Sequence, residues 1–189
     1  MKENKHLCDS DKRMNNKNSY IAYYDGPIGK IMLASNGKEL TGLWFEGQKY
    51  FGSTLAKEPI EKDLPIFEQT KRWLDLYFEG QVPNFLVPLC FETTPFRKRV
   101  WDILLTIPYG ETRTYRQIAK KIARQKGIEQ MSAQAIGNAV GHNPISLIVP
   151  CHRVIGSNES LTGYAGGIEK KAWLLAWEKT HSEQNINLE

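Results

Sequence analysis

Between residues 19 and 50 apolar and polar positions alternate in short runs broken by turn residues, the period of strands rather than helices. Residues 20–24 lead into Asp25-Gly26-Pro27, residues 29–35 into Asn36-Gly37, and the run 40–45 follows. An Asn-Gly pair between two apolar runs is a strong hairpin signal, because both residues tolerate the positive φ that tight turns need. From 65 to 79 the spacing changes: Phe67, Trp73 or Leu74, and Tyr77 or Phe78 recur at helical intervals. Pro65 suits a first helical turn and Gly80 a stop. Residues 85–91 form a proline-punctuated run that predicts an edge strand.

The second half has helical periodicity. Thr94-Pro95 opens a predicted helix to residue 107, with Phe96, Val100, Ile103 and Leu104 on one stripe, and Pro108-Tyr109-Gly110 breaks it. Thr114 has the side chain of an N-cap for a helix through 123, with Ile118, Ala119 and Ile122 inward. Ser132 caps another, carrying Ala135, Ile136, Ala139 and Val140. Two short helices with a brief connection form a helix-turn-helix pattern, which many unrelated helical pairs share. Residues 145–150 are strand-like, and 169–179 predict a last helix. The architecture expected is α+β: a small antiparallel-sheet domain over 19–92, a helical domain with helix-turn-helix over 93–181, and tails at 1–18 and 182–189.

Composition narrows the class. With 189 residues, 41% hydrophobic and 24% charged, the chain can bury a real core and is not a disordered polymer. No run approaches the length of a membrane-spanning helix, so no membrane role is expected. The first 20 residues are rich in Lys, Asn and Asp and lack the apolar stretch of a secretory signal. Cys8, Cys90 and Cys151 are odd in number and far apart, which argues against a disulfide framework or a paired-cysteine metal site and for a reducing cytoplasm. Charge is uneven. Residues 1–94 carry 12 Lys/Arg against 13 Asp/Glu, whereas 95–189 carry 13 against 8. Arg97, Lys98, Arg99, Arg113, Arg116, Lys120, Lys121, Arg124 and Lys126 crowd into 95–126, opposed by Asp102 and Glu111. That density on predicted helices is the footprint of a phosphate-backbone binder; a solvated helical face reads the same way from charge alone.

The candidate chemistry lies between Asn143 and Ile155, where an apolar run delivers Pro150 and then Cys151, His152 and Arg153 without a gap. A thiol is nucleophilic as the thiolate, which a nearby base or cation favours. Adjacent side chains rarely aim at each other, so His152 would act through a water or a local turn. A carboxylate must then orient its imidazole, and Glu178 on the last helix is the candidate. On residue types alone, a buried structural cysteine beside a surface histidine is the commoner fate of a cysteine after an apolar run. No G-x-G-x-x-G or G-x-x-x-x-G-K-[ST] occurs, so nucleotide-cofactor readings fall away and no cofactor is expected.

Pro150-Cys151-His152-Arg153-Val154, preceded by Asn143-Pro144 and followed by Gly163-Tyr164-Ala165-Gly166-Gly167, Lys170, Leu174-Leu175 and Glu178, resembles the active-site signature of the O6-alkylguanine-DNA alkyltransferases. The similarity covers about residues 94–178 in the family's order, and the N-terminal half is similar in outline to its ribonuclease H-like sheet domain. The resemblance implies a single-use displacement: Cys151 takes the alkyl group from guanine O6, possible for O4-alkylthymine as well, and keeps it as a thioether. It implies catalytic roles for Cys151, His152, Glu178, Asn143 and Tyr115, and a flipped base held by Val140, Val154, Tyr164, Ala165 and Gly166. It implies DNA contacts through Gln134, Ser132, Arg97, Arg113, Arg116 and Arg153. The partner expected is double-stranded DNA carrying O6-alkylguanine, bound by a monomer. Gln134 stands where several family members have an inserted arginine, and Ala165 where some have serine. Only His6 and Cys8 lie near the start, where some members bind zinc, so no metal is expected. Two other classes compete: an alkyltransferase-like protein that binds lesions without a nucleophile, against which Cys151 argues, and a helix-turn-helix regulator, which leaves Cys151-His152-Arg153 unexplained.

Overall fold

The computed structural model describes residues 19–186. The expected tail over 1–18, with His6 and Cys8, lies outside the described residues. Three strands open the chain, β1 (Tyr20–Gly26), β2 (Gly29–Ser35) and β3 (Leu40–Phe45), paired antiparallel in sequence order. Asn36 builds the β2–β3 turn by accepting the amide protons of Lys38 and Glu39 on its Oδ1. A two-residue β4 (Ile60–Glu61) adds parallel to β1, so the sheet is mixed, in the order β3-β2-β1-β4, rather than purely antiparallel. Helix α1 (Pro65–Phe78) starts on proline as the sequence predicts. The run 85–91 makes only an isolated bridge, Leu89 to Leu40, instead of an edge strand. Pro88 within the run, and Pro83 just before it, lack the donors that a longer ladder requires.

Helix α2 (Pro95–Leu104) is capped by Thr94 and ends three residues earlier than the periodicity suggests, because the chain closes into a turn ahead of Pro108. Strand β5 (Arg113–Thr114) leads into α3 (Tyr115–Lys126), which Thr114 and Gln117 close with a reciprocal capping box. Ser132 caps α4 (Ala133–Gly141), completing the predicted helix pair. Past α4 the apolar residues 145–150 form no strand. They fold as buried turns, then a 3-10 turn (Cys151–Arg153) and β6 (Val154–Ile155), which pairs parallel to β5. Helix α5 (Ile168–Ile186) runs beyond the expected end at 179 and through the start of the expected tail, since no glycine or proline interrupts 180–186.

One hydrophobic core joins the halves. Ile31, Leu33 and Phe45 of the sheet, Phe67 and Leu74 of α1, Val100 and Leu104 of α2, Ile118 and Ile122 of α3, Ile136 of α4 and Leu174 of α5 belong to one buried cluster. The seam is also hydrogen-bonded. Leu43 in β3 donates to the Pro144 carbonyl (2.8 Å) and accepts from the Ser146 amide (2.9 Å). The free edge of the N-terminal sheet thus carries the segment that leads to Cys151. Cys90 is buried in the core and is disulfide-bonded, against the expectation of unpaired cysteines; among the described residues Cys151 is the free cysteine.

Candidate active site

Asn143 follows α4 at once, its amide N–H held by the Val140 carbonyl (3.2 Å). Its side chain replaces the ladder that 145–150 lacks. The Nδ2 group lies within hydrogen-bond reach of the Ile145 carbonyl (3.1 Å), the Val149 carbonyl (2.9 Å) and Cys151 Sγ (3.1 Å), while Oδ1 accepts from the Ile145 amide (3.0 Å). A buried loop with unpaired backbone groups would be costly, and this one amide satisfies both ends of the turn and the sulfur. Cys151 is 3% exposed. Burial pushes its thiol up, and the Asn143 hydrogen bond, the Lys171 charge and nearby backbone N–H groups pull against that rise.

Behind the sulfur, His152 is fully buried and its Nε2 lies 2.6 Å from Glu178 Oε1. A carboxylate only accepts, so Nε2 carries the proton and Nδ1 is left with a lone pair. Among the described residues Nδ1 is buried without a hydrogen-bond partner. Burial holds His152 below its ordinary value of 6.5 despite the carboxylate, which keeps the ring neutral. Burial alone would lift Glu178, yet His152 and Arg153 outweigh it and hold the carboxyl well below the usual range.

Arg153 occupies an unexpected position. Its Nε and Nη2 donate to Glu178 Oε2 (2.8 Å) and Oε1 (3.0 Å), and Nη1 donates to the Ile107 carbonyl (2.6 Å). Its side chain is committed inside the protein, which corrects the expectation that it contacts DNA. Two further donors complete the carboxylate: the Tyr77 hydroxyl (2.7 Å to Oε1) and the Gly110 amide (3.1 Å to Oε2). Gly110 sits at φ +76, and a Cβ there would meet Ser182 Oγ at 2.5 Å, so no other residue could place that amide without rearrangement.

Helix α5 supplies the remaining groups. Its spacing puts Lys171, Leu174 and Glu178 on one inward stripe. Lys171 Nζ donates to the carbonyls of Val154 (2.5 Å) and Thr162 (2.8 Å), pinning the segment between them. Burial lowers its ammonium to about 8. Because Arg153 and Glu178 neutralise each other, Lys171 is the buried charge without an ion-pair partner among the described residues. Tyr77, Gly110 and Lys171 were absent from the sequence-based site; the available signal was the heptad spacing of Lys171 and Glu178, which puts both on one face of the last helix.

The loop 163–167 faces this cluster. Tyr164 is buried, its ring 6.5 Å from that of His152 and edge-on to it. A Cβ on Gly166 would meet the Tyr164 ring at 2.6 Å, so the close approach of backbone to ring requires glycine. Val140 and Val154 are buried and Ala165 is half-buried. At the mouth, the Tyr115 hydroxyl donates to the Thr162 carbonyl (3.0 Å), and burial pushes that phenol up to about 12, so it remains a proton donor. Outside lies an open groove of about 730 Å³ between the helix pair and the loop, lined by Tyr115, Arg116, Gln134, Gly137, Asn138 and Gly163. Gln134 and Arg116 are exposed there, whereas Ser132 is occupied in capping α4. Arg113 is paired with Glu111 (2.9 Å), and Arg97 lies in the first turn of α2, so neither lines the groove.

Fold and site together define a class: a sheet domain joined to a helix-turn-helix domain, with one free buried thiol backed by a His–Glu–Arg cluster and facing a glycine loop. Comparison with known proteins gives this class its family. Residues 19–91 match the "6-O-methylguanine DNA methyltransferase, ribonuclease-like domain" and residues 95–180 the "6-O-methylguanine DNA methyltransferase, DNA binding domain". The chain belongs to the 6-O-methylguanine DNA methyltransferase family. It is 44% identical to a methylated-DNA--protein-cysteine methyltransferase of Mycobacterium bovis, over 87% of this chain and 94% of that one. It is 38% identical to one of Haemophilus influenzae, over 85% and 86%. A crystal structure of Mycobacterium tuberculosis OGT in complex with DNA superimposes with a TM-score of 0.74 at 44% identity, covering 86% of this chain and 94% of that one.

Proposed function

We infer that this protein is a methylated-DNA--protein-cysteine methyltransferase that repairs alkylated DNA by moving the alkyl group from guanine O6 to its own Cys151. The observation that carries the reading is the free thiol of Cys151, held by Asn143 and backed by a His152 whose Nε2 is pinned to Glu178. The thiol proton passes through a water to Nδ1 of His152, the ring nitrogen left with a lone pair. The imidazolium so formed is stabilised by Glu178. Sulfur attacks the alkyl carbon, the C–O bond breaks as the C–S bond forms, and the electron pair leaves on the guanine. Tyr115, protonated at neutral pH, donates toward the departing base and offsets its charge. An alkyl thioether has no low-energy route back to a thiolate, so each chain acts once.

The target atom lies inside a duplex, and Cys151 is buried, so the nucleotide must leave the stack to reach it. The groove beside Tyr115 and the loop 163–167 provide the receiving space, with Gln134 on α4 placed to fill the gap left in the duplex. Arg97, Arg113 and Arg116 contact phosphates in this reading, and a cytoplasmic location belongs to it. No helix among the described residues is long and apolar enough to cross a membrane. Incubation with an O6-methylguanine duplex followed by intact-mass measurement tests the chemistry. The expected result is a gain of one methyl on Cys151, absent in Cys151→Ala. Tight binding with no gain in mass would refute transfer.

A further inference from the structure

One turn of the N-terminal sheet reaches the site without taking part in the chemistry above. Leaving β3 at Phe45, three consecutive residues touch three parts of the catalytic segment. Gln48 is buried, and its Oε1 accepts from the Phe45 amide (2.9 Å) and from the Ser146 hydroxyl (3.1 Å), between Asn143 and Cys151. The Lys49 amide donates to the Ala165 carbonyl (2.9 Å), in the loop that faces the thiol. Tyr50 lays its ring on the imidazole of His142, beside Asn143, with centroids 4.2 Å apart and planes 24° from parallel.

The backbone of the turn adds a second, independent sign. Tyr50 has φ +62, a left-handed conformation that a residue with a Cβ adopts only at a cost. Strain of this kind persists where the surroundings fix it, commonly beside functional sites. Tyr50 is 40% exposed, so core burial does not hold it there. Its partner is the residue that precedes Asn143.

We propose that Gln48-Lys49-Tyr50 is a positioning element for alkyl transfer, fixing the base-receiving loop at Ala165 relative to the turn that carries Asn143 and Cys151. The proposal rests on the transfer reading. Sulfur sits on one segment and the alkyl carbon, once the base is bound, is held against the other. An in-line displacement needs the two within about 3–3.5 Å and aligned, and a misplacement of about 1 Å is worth roughly 100-fold in rate. Lys171 anchors the near end of the loop at Thr162; the Gln48 turn anchors its centre from the other domain.

The test compares Gln48→Leu, Tyr50→Ala and Tyr50→Phe with the wild-type chain in three measurements: methyl transfer from an O6-methylguanine duplex under saturating single-turnover conditions, alkylation of Cys151 by iodoacetamide, and thermal melting. Tyr50 is exposed, so Tyr50→Ala stays folded even where Gln48→Leu does not. Expected are a transfer rate lowered about 10-fold in Gln48→Leu and about 3-fold or more in Tyr50→Ala, restored in Tyr50→Phe, with iodoacetamide alkylation within about 2-fold of wild type. Transfer unchanged in a folded Tyr50→Ala overturns the proposal. So does a parallel fall in iodoacetamide alkylation, which would place the effect on the thiol itself. A wild-type chain that gains no methyl overturns the transfer reading first, before any variant is compared.

Discussion

Five donors converge on the Glu178 carboxylate, and only one of them, His152, is adjacent to the nucleophile in sequence. Asn143, Cys151, His152 and Glu178 were legible in the sequence because three of them share one short segment and the fourth sits on the last helix. Tyr77 and Gly110 were not, since they reach Glu178 from 101 and 68 residues away and neither carries a chemical signature of its own. Arg153 was misplaced for a related reason: an arginine beside an active cysteine reads as a surface cation until its carboxylate partner is located. Replacing Tyr77 by Phe removes a hydrogen bond to a charged acceptor and is expected to lower stability by roughly 1.5–3 kcal/mol, read from denaturant unfolding. The pH dependence follows from the two depressed groups, His152 below its ordinary 6.5 and Glu178 below its ordinary 4.5. Both bind protons less readily folded than unfolded, so their contribution is full above the unfolded values and is lost as pH falls. The melting temperature is expected to drop first below 6.5 and further below 4.5; a flat profile below 6.5 would contradict a His152 kept neutral by burial, and one below 4.5 the hold of His152 and Arg153 on Glu178.

Helices α1 to α4 were legible to within a few residues because their ends are written locally, in Pro65, Thr94, Thr114 with Gln117, and Ser132. The stretch 145–150 was not, because an apolar run says that residues are buried without saying what takes their backbone hydrogen bonds. Here a side chain, Asn143, takes several of them, and the chain turns instead of extending. Capping has a functional side as well. The Thr114 box fixes the first residue of α3, and that residue is Tyr115, whose hydroxyl reaches the loop at Thr162. On the same helix Arg116 faces the groove. Arg116→Ala is expected to weaken binding to damaged and undamaged duplexes alike and to reduce the slope of log affinity against log salt by about 0.9. Fluorescence anisotropy across a salt series measures both; a slope equal to that of wild type would remove Arg116 from the phosphate contacts.

At the scale of the whole molecule, the two halves named by their own sequence patterns are not independent parts. The sheet's free edge holds Pro144 and Ser146, and the core runs through both. Neither the seam nor the mixed sheet could be read from periodicity, which reports faces and not neighbours. Such close packing has a consequence for the alkylated state. A methyl added to Cys151, a residue only 3% exposed, must be packed against closely fitted neighbours, and it turns the sulfur that Asn143 holds into a thioether, a weaker hydrogen-bond acceptor than a thiolate. Overfilling of this kind costs about 1–3 kcal/mol. In a chain of this size that corresponds to roughly 2–4 °C of melting temperature per kcal/mol, measurable by calorimetry before and after one equivalent of damaged duplex.

Because Asn143 spans two carbonyls of its own turn as well as the sulfur, a change at that one atom is felt by the backbone around it. A chain that has acted therefore differs from a fresh one in firmness as well as in mass. Each molecule keeps a permanent record of a single lesion, and the proportion of softened chains in a population works as a dosimeter of the alkylation its DNA has met.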